Sequence, residues 1–155
     1  MKGLDAILKK TPLFENLKPE YLELLAGCAS NVRFAAGETI YRHGDVADRF
    51  WLVRHGRVSL EIHVPQRGAV TVQTLQEGDL LGWAWIVPPY EHHLDARALV
   101  LTRAVAFDAG CMRGKCEEDP QLGYLMMQKL AQNIVQVLKA SRLQLMDIYG
   151  GPGRD

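Results

Sequence analysis

Apolar residues change their spacing twice along the chain. Near the N-terminus they recur at helical spacing after Pro19, and Gly27 can end that helix. The apolar side chains of this helix are Tyr21, Leu22, Leu24 and Leu25. A shorter helix is predicted over residues 4–10. Residues 1–30 are therefore expected to form a pair of helices.

From Asn31 to Asp108 the pattern changes to short runs rich in β-branched and aromatic residues, such as RFWLVRH and RVSLEIHV. Glycines separate the runs at intervals of roughly 8 to 12 residues, which is typical of a β-sandwich or jelly roll. The expected fold is mainly β with flanking helices, an α+β arrangement. Its centre would be a double-stranded β-helix, or β-roll, over residues 31–108.

Helical spacing returns after Asp108. Asp119 followed by Pro120 is a good start for a helix, and the pattern continues to about Tyr149, so that helix would be about 45 Å long. Residues 109–150 are thus predicted to hold the C-terminal helices. Residues 151–155 are expected to be a frayed tail, and all segments belong to one structural domain.

Two apolar stripes run along this long helix. One has a strict 4,3 spacing interrupted only by a serine: Met127, Ala131, Ile134, Leu138, Ser141, Leu145 and Ile148. The second consists of Leu122, Met126, Leu130, Val137 and Leu143. One small domain rarely covers both stripes over such a length, so the first stripe is predicted to pack against a second copy of the chain. The alternative is that both stripes pack on the β-roll and the N-terminal helices.

Composition narrows the class of protein. The chain has 155 residues, of which 48% are hydrophobic and 23% charged, as in a globular domain, and its net charge is zero. No field of the whole molecule attracts nucleic acid or an anionic membrane. Without a signal-peptide core or a long apolar run, the chain is expected to be cytoplasmic.

The three cysteines are predicted to be ordinary reduced thiols, because their number is odd and no export signal precedes them. They are Cys28, Cys111 and Cys116. Cys111 and Cys116 are spaced too widely for a typical zinc knuckle, and no second pair completes a ligand set. A redox-sensing role stays open as the minor alternative.

The stretch IYRHGDVADRFWLVRHG resembles the first signature of the cyclic-nucleotide-binding domain, found in the catabolite activator protein family and in kinase regulatory subunits. The matching positions are Ile40, Gly44, Asp45, Ala47, Phe50, Leu52, Val53 and Gly56, whereas Tyr41 and Trp51 depart from the strictest form. Gly44 and Gly56 are expected to adopt positive φ in tight turns, and the apolar run is expected to be a buried strand.

The resemblance extends to the segment LGWAWIVPPYEHHL, which lies where the family has its phosphate-binding cassette. Trp83 stands where the family's Glu would hold the ribose, and His92 stands where its Arg would clamp the cyclic phosphate. His93 and Leu94 replace a small polar residue and an Ala. Each lost charge-assisted hydrogen bond is worth about 1.5 to 3 kcal/mol, so the usual recognition of cAMP or cGMP is not expected.

The predicted ligand contacts are Gly82, Trp83, Ala84, Trp85, His92 and His93. The tryptophans could form an aromatic wall for a planar ligand, or Trp83 could fill the cavity with its own indole. Gly82 could open a short helix whose amides face an anion, and His92 would bind an anion more strongly as the pH falls through about 6.5. Arg97 is expected to be an outward strand residue or an ion-pair partner, and no phosphate ligand.

Other chemistries find little support in the sequence. His92 and His93 are adjacent on an extended segment and would point to opposite faces, so a shared metal ion is not expected. No nucleophile elbow or Walker loop occurs, and no enzyme activity or cofactor is predicted. No recognition helix is apparent, so direct sequence-specific DNA binding is not expected.

The prediction is a non-enzymatic, ligand-sensing regulatory module that forms a homodimer and acts through a protein partner. The alternatives are a ligand-free interaction scaffold with a self-filled pocket and a haem, metal or redox sensor.

Overall fold

The structure is a computed structural model that describes residues 2–11, 14–15 and 17–149. Within those residues, the α-helices are α1 (Lys2–Lys10), α2 (Pro19–Gly27), α3 (Ala109–Glu118) and α4 (Pro120–Tyr149). Strands occupy the region between α2 and α3. They are β1 (Ala29–Phe34), β2 (Thr39–Tyr41), β3 (Arg49–His55), β4 (Val58–Val64), β5 (Gly68–Leu75), β6 (Leu80–Leu81), β7 (Asp95–Ala98) and β8 (Thr102–Asp108). The predicted tail, 151–155, lies outside the described residues.

The strands form two four-stranded antiparallel sheets, in the orders β1-β8-β3-β6 and β2-β7-β4-β5. Helices lie before and after them, so the predicted double-stranded β-helix with flanking helices is confirmed. Strand β6 was not predicted, because a strand of two residues shows no alternation that could reveal it. The sequence predicted each of the other strands to within a few residues.

Alternation along β3 divides the core into two clusters. Phe50 and Leu52 pack on the side of the helices, whereas Trp51 and Val53 face the interior of the β-roll. Successive side chains of a strand point to opposite faces of the sheet, so one strand supplies both clusters. All four side chains are at least 94% buried.

Glycines close the turns on either side of β3, as predicted. Gly44 has φ +90° and Gly56 has φ +111°, in the left-handed region. At Gly56 space is also limiting, because a Cβ atom there would lie 2.5 Å from Oγ1 of Thr102 and 2.8 Å from the carbonyl oxygen of Leu101. A larger residue at position 56 would thus have to displace the start of β8.

Aspartates cap both C-terminal helices. Oδ1 of Asp108 accepts a hydrogen bond from the Cys111 amide at 2.7 Å. Oδ1 of Asp119 accepts from the amides of Gln121 and Leu122 at 3.1 and 3.3 Å, so the predicted helix start at Asp119 is confirmed.

The two stripes of α4 differ in burial. Leu122, Met126 and Leu130 of the second stripe are buried against the domain. Leu143 was predicted to continue that stripe, yet it is 63% exposed, because α4 has by then passed the residues that cover its first turns. The residues of the first stripe predicted to form a dimer are exposed in the single chain: Met127, Ala131, Ile134, Leu138 and Leu145. The homodimer stays a prediction.

The expectation of reduced thiols is wrong for Cys28 and Cys111, which form a disulfide with a Cα–Cα distance of 5.8 Å. The pairing of β1 with β8 brings the end of α2 beside the start of α3, although 83 residues separate the two cysteines. Such a contact depends on the topology and leaves no sign in local spacing. Cys116 is a free thiol, and burial raises its pKa above the ordinary value.

Candidate functional site

A cavity of about 190 Å³, here called the inner cavity, lies between the β-roll, the segment after β6 and helix α4. The predicted ligand contacts that line it are Gly82, Trp83, Ala84, His92 and His93. The other lining residues, none of them among the predicted contacts, are Tyr41, Leu60, Gln73, Leu75, Leu80, Leu94, Asn133 and Val137. The cassette, the roll and the long helix thus meet at one site.

Gly82 turns the chain from β6 into the wall of this cavity. Its φ of +90° is left-handed, and an added Cβ would lie 3.2 Å from both Cε1 of His92 and Cζ3 of Trp51. The next four residues, Trp83–Ile86, form a single 3₁₀ turn. So short a turn lacks the aligned peptide dipoles of a longer helix and gives little support to the predicted anion site at its start.

Trp85 lies outside the inner cavity, and the structure does not support its assignment as a ligand contact. Its side chain is fully buried and stacks on Phe50, with ring centroids 4.5 Å apart. Its carbonyl oxygen accepts a hydrogen bond from Nη1 of Arg113 at 2.7 Å. Trp85 lies two residues beyond Trp83 on the 3₁₀ turn, and its indole is directed into the helix-side core.

Trp83, by contrast, is half-buried and lines the inner cavity. Its indole also packs against the helix-side core, so it walls the cavity without filling it. Nε1 of Trp83 is buried and donates to no acceptor. The indole nitrogens of Trp51 and Trp85 are likewise buried without an acceptor, so this feature does not by itself mark a ligand contact.

His92 is turned into the β-roll, where its ring stacks on Tyr41 at a centroid distance of 3.6 Å. Trp51 lies beyond, 5.8 Å from Tyr41 and 6.2 Å from His92. His92 is only 3% exposed, and this burial lowers its pKa below the ordinary value, although Asp45 and Asp48 oppose the shift. The imidazole is therefore neutral near pH 7 and cannot act as a cation for a phosphate.

Among the residues that the structure describes, no Asp, Glu, Lys or Arg lines the inner cavity. The lining residues with polar side-chain atoms are Tyr41, Gln73, Trp83, His92, His93 and Asn133. Burial raises the pKa of Tyr41 well above its ordinary value, so the hydroxyl stays protonated. The site can hold apolar faces and form neutral hydrogen bonds, but it offers no counter-charge.

Arg97 is held away from the cavity, as predicted. Its guanidinium donates from Nη2 to Oε2 of Glu61 at 2.7 Å and forms an ion pair on the neighbouring strand. The hydrogen bond from Arg97 is the largest influence on the carboxyl group and keeps the pKa of Glu61 below its ordinary value. The guanidinium of Arg97 is therefore already paired with the buried carboxylate of Glu61.

Arg113 links the cassette to helix α3. Besides donating to the carbonyl of Trp85, its guanidinium lies 4.3 Å from the ring centroid of Tyr90. Both contacts tie the segment that walls the inner cavity to the helix that precedes α4. No pattern in the sequence indicates this role, because an arginine on a short helix is usually a surface residue.

A larger groove of about 580 Å³ lies on the other side of Tyr41 and His92. Its rim carries charges of both signs, from Arg33, Asp45, Asp48 and Arg49. Among the predicted ligand contacts only His92 borders it, whereas Gly82, Trp83, Ala84, His92 and His93 line the inner cavity. The inner cavity is therefore the better candidate site, and the Tyr41–His92 pair separates the two spaces.

Within the described part of the chain, no group of three or more His, Cys, Asp or Glu side chains is arranged to hold a metal ion. Among the helices described, none combines the length and the apolar character needed to cross a membrane.

Comparison with known proteins identifies the family. Residues 31–119 match the family model of the cyclic nucleotide-binding domain. A CRP-like cAMP-activated global transcriptional regulator of Mycobacterium tuberculosis is 22% identical over 131 residues. The match covers 84% of this chain and 58% of the regulator, so the chain spans little more than half the length of that relative.

Solved structures share the fold. The catabolite activator protein of Thermus thermophilus has a TM-score of 0.69 and 25% identity, over 86% of this chain and 61% of that one. The regulatory subunit of a cAMP-independent protein kinase A from Trypanosoma brucei, solved as a triple mutant bound to cAMP, has a TM-score of 0.75 at 14% identity, over 95% of this chain and 51% of that one. The family match covers more than half of the sequence and includes the whole cassette. The chain belongs to the cyclic nucleotide-binding domain family.

Proposed function

We propose that the chain is a regulatory module whose inner cavity binds a compact, uncharged, planar molecule, and that it does not recognise cyclic nucleotides in the manner usual for its family. The observation that carries this proposal is the neutral lining. Relatives of this chain regulate transcription or protein kinases, which favours a regulatory over an enzymatic role for the chain.

A cyclic phosphate would enter this cavity without a counter-charge. His92 occupies the position of the family's arginine, and it is neutral and stacked on Tyr41. Loss of two charge-assisted hydrogen bonds costs about 3 to 6 kcal/mol, which corresponds to roughly two to four decades in affinity. The Trypanosoma brucei relative is part of a cAMP-independent kinase, so independence of cAMP has a precedent in this fold.

The cavity favours a small heterocycle. Its volume of about 190 Å³ is below the roughly 300 Å³ at which sites for drug-sized ligands begin. Trp83 offers part of its half-buried indole as an apolar wall, and the amides of Gln73 and Asn133 can donate and accept. A planar molecule with nitrogen or carbonyl acceptors on its edge, of the size of a nucleobase, matches these groups.

Helix α4 is proposed to transmit ligand binding to the dimer interface. Asn133 and Val137 border the cavity, whereas Ile134 and Leu138 belong to the exposed stripe. We place a second copy of the chain on that stripe, in a homodimer whose geometry changes when the ligand biases the position of α4. A difference in affinity for the two geometries is required for this regulation.

The test is calorimetry with nucleobases and nucleosides, beside cAMP and cGMP. A nucleobase-sized ligand is expected to bind the wild type, and Gln73→Leu, which removes one of the two lining amides, is expected to weaken binding about tenfold. His63→Gln, on an exposed strand position, is the control. Micromolar binding of cAMP to the wild type would overturn the proposal.

A gain-of-function variant tests whether the missing charges account for weak binding of cAMP. Trp83→Glu combined with His92→Arg restores the charged pair of the family cassette, and cAMP affinity is expected to rise by at least two decades. Circular dichroism verifies that the variant is folded. If the double variant folds and its cAMP affinity equals that of the wild type, the missing charges are not the reason for weak binding.

A second candidate is the ligand-free scaffold. The observation that favours it is the stack of Tyr41, His92 and Trp51, which fills much of the roll interior. In that case no small molecule shifts the melting temperature, while the homodimer still forms in analytical ultracentrifugation. In this alternative too, Trp83 lines the cavity and the stack of Tyr41 and His92 occupies the roll.

A further inference from the structure

Three arginines lie side by side on the sheet formed by β1, β8 and β3. Arg33 of β1 is directly opposite Arg103 of β8 in the antiparallel register. Strand β3 pairs with the other edge of β8, and the register of that pairing shifts between Val53 and His55. Arg54 lies at this irregularity. A bulge of this kind can redirect a side chain. The three arginines line one surface depression of about 300 Å³ together with Asn31, Val32 and Ala104. We call it the arginine face.

The arginine face has no counter-charge of its own. No acidic side chain lines the depression, and all three arginines are exposed. Among the residues that the structure describes, the only ion pair joins Arg97 to Glu61, on the other sheet. Asp45 and Asp48 border the larger groove that Arg33 also borders, and Glu77 shares a neighbouring cavity with Arg54. None of these three carboxylates forms an ion pair with an arginine of the face. Because the whole chain has no net charge, this local excess is not part of a generally basic surface.

Such an arrangement is unfavourable in the absence of an anion. Like charges directly opposite each other on neighbouring strands destabilise a sheet. Strands are about 4.8 Å apart, so three adjacent strands bring the arginine side chains within about 10 Å of one another. Guanidinium groups form paired hydrogen bonds with phosphate oxygens, and Asn31 adds a neutral donor at the edge.

We propose that the arginine face binds a small ligand that carries two or more phosphate groups. Several linked phosphates match three guanidinium groups spread over three strands better than a single phosphate does. The site is separate from the inner cavity, with which it shares no lining residue, so it does not depend on the function proposed above.

Calorimetry and thermal denaturation at low ionic strength, with inorganic tripolyphosphate, pyrophosphate and orthophosphate as probes, test the proposal. Affinity is expected to fall in that order and to weaken as salt is added. Arg33→Gln and Arg103→Gln should each weaken tripolyphosphate binding about tenfold or more. Arg67→Gln, which removes an exposed arginine from the turn between β4 and β5, is the matched control and should leave binding unchanged.

The same variants provide a second readout that does not need the ligand. Without phosphate at low salt, Arg103→Gln should melt at a higher temperature than the wild type, because the repulsion with Arg33 is removed. With tripolyphosphate the order should reverse. Equal binding by the wild type and Arg103→Gln would overturn the proposal. Tight binding of a single-stranded oligonucleotide with no response to tripolyphosphate would contradict it as well and would identify a nucleic-acid surface.

Discussion

Two aromatic stacks lie on opposite faces of β3 and differ in composition and surroundings. On the helix side, Phe50 stacks between Trp85 and Phe107 at 4.5 and 4.7 Å, and all three rings are at least 98% buried. On the roll side, Tyr41 stacks on His92 next to Trp51, with a cavity on either side of the pair. The first stack holds the domain together, whereas the second borders space that a ligand can enter.

One segment of the sequence contributes a ring to each of the two stacks. The cassette supplies Trp85 to the first stack and His92 to the second, so it anchors the fold at one end and shapes the cavity at the other. Changes on the helix side should therefore cost stability, and changes on the roll side should mainly alter binding and pH response.

The largest expected effect is that of Trp85→Ala. Removing a fully buried indole from a stack should lower the free energy of unfolding by about 3 to 5 kcal/mol, measured by urea denaturation. Trp83→Ala is the matched control, with an expected loss of less than half as much, because Trp83 is half-buried beside a cavity. Equal losses in the two variants would contradict the interpretation that Trp85 stabilises the fold whereas Trp83 mainly lines the cavity.

The disulfide is the next test, because it lies beside the helix-side stack. Cys28→Ser with Cys111→Ser should lower the free energy of unfolding by about 2 to 4 kcal/mol, since the bond closes a long loop in the unfolded chain. Reductant should lower the stability of the wild type by a similar amount and leave the double variant unchanged. Cys116→Ser, which removes the free thiol, should have little effect.

Arg113→Met should cost about 1.5 to 3 kcal/mol, because the carbonyl of Trp85 loses a charged donor and Tyr90 loses its cation. Chemical denaturation measures this loss. Arg142→Met, at an exposed position of α4, is the control. The variant should also loosen the cassette, which amide hydrogen exchange of residues 83–90 can detect. Unchanged exchange would mean that Arg113 does not hold the cassette.

The smallest expected effect concerns pH. Burial lowers the pKa of His92 in the folded chain, so the unfolded chain binds a proton more readily and stability should fall as the pH drops below about 6.5. His92→Phe keeps a ring on Tyr41 but cannot titrate, and it should reduce this loss between pH 7 and pH 5.5. His63→Gln, at an exposed position, should not. An identical pH profile for His92→Phe would show that His92 takes no part.

The fold was largely predictable from local patterns, because glycine-separated strands and helix caps depend on residues that are neighbours in the sequence. Asp119 beside Pro120 and the turn at Gly56 are examples. The disulfide was not predictable in this way, because 83 residues separate Cys28 from Cys111 and only the sheet brings them together.

The candidate site was predictable in part. The altered cassette directed attention to Gly82, Trp83 and His92, which line the inner cavity. Sequence alone could not separate Trp83 from Trp85, because the direction of each indole depends on a single 3₁₀ turn. The stack of Tyr41 on His92 joins residues from distant parts of the chain, although the departure of Tyr41 from the family signature was a usable sign.

Asn133 and Ile134 are consecutive residues of α4, one at the cavity and the other on the exposed stripe. Neighbouring residues of an α-helix are about 100° apart around its axis, so a small rotation of α4 moves both at once. Selection for a new specificity at one surface will consequently alter the other. Libraries randomised at the cavity should therefore be screened for self-association as well as for binding.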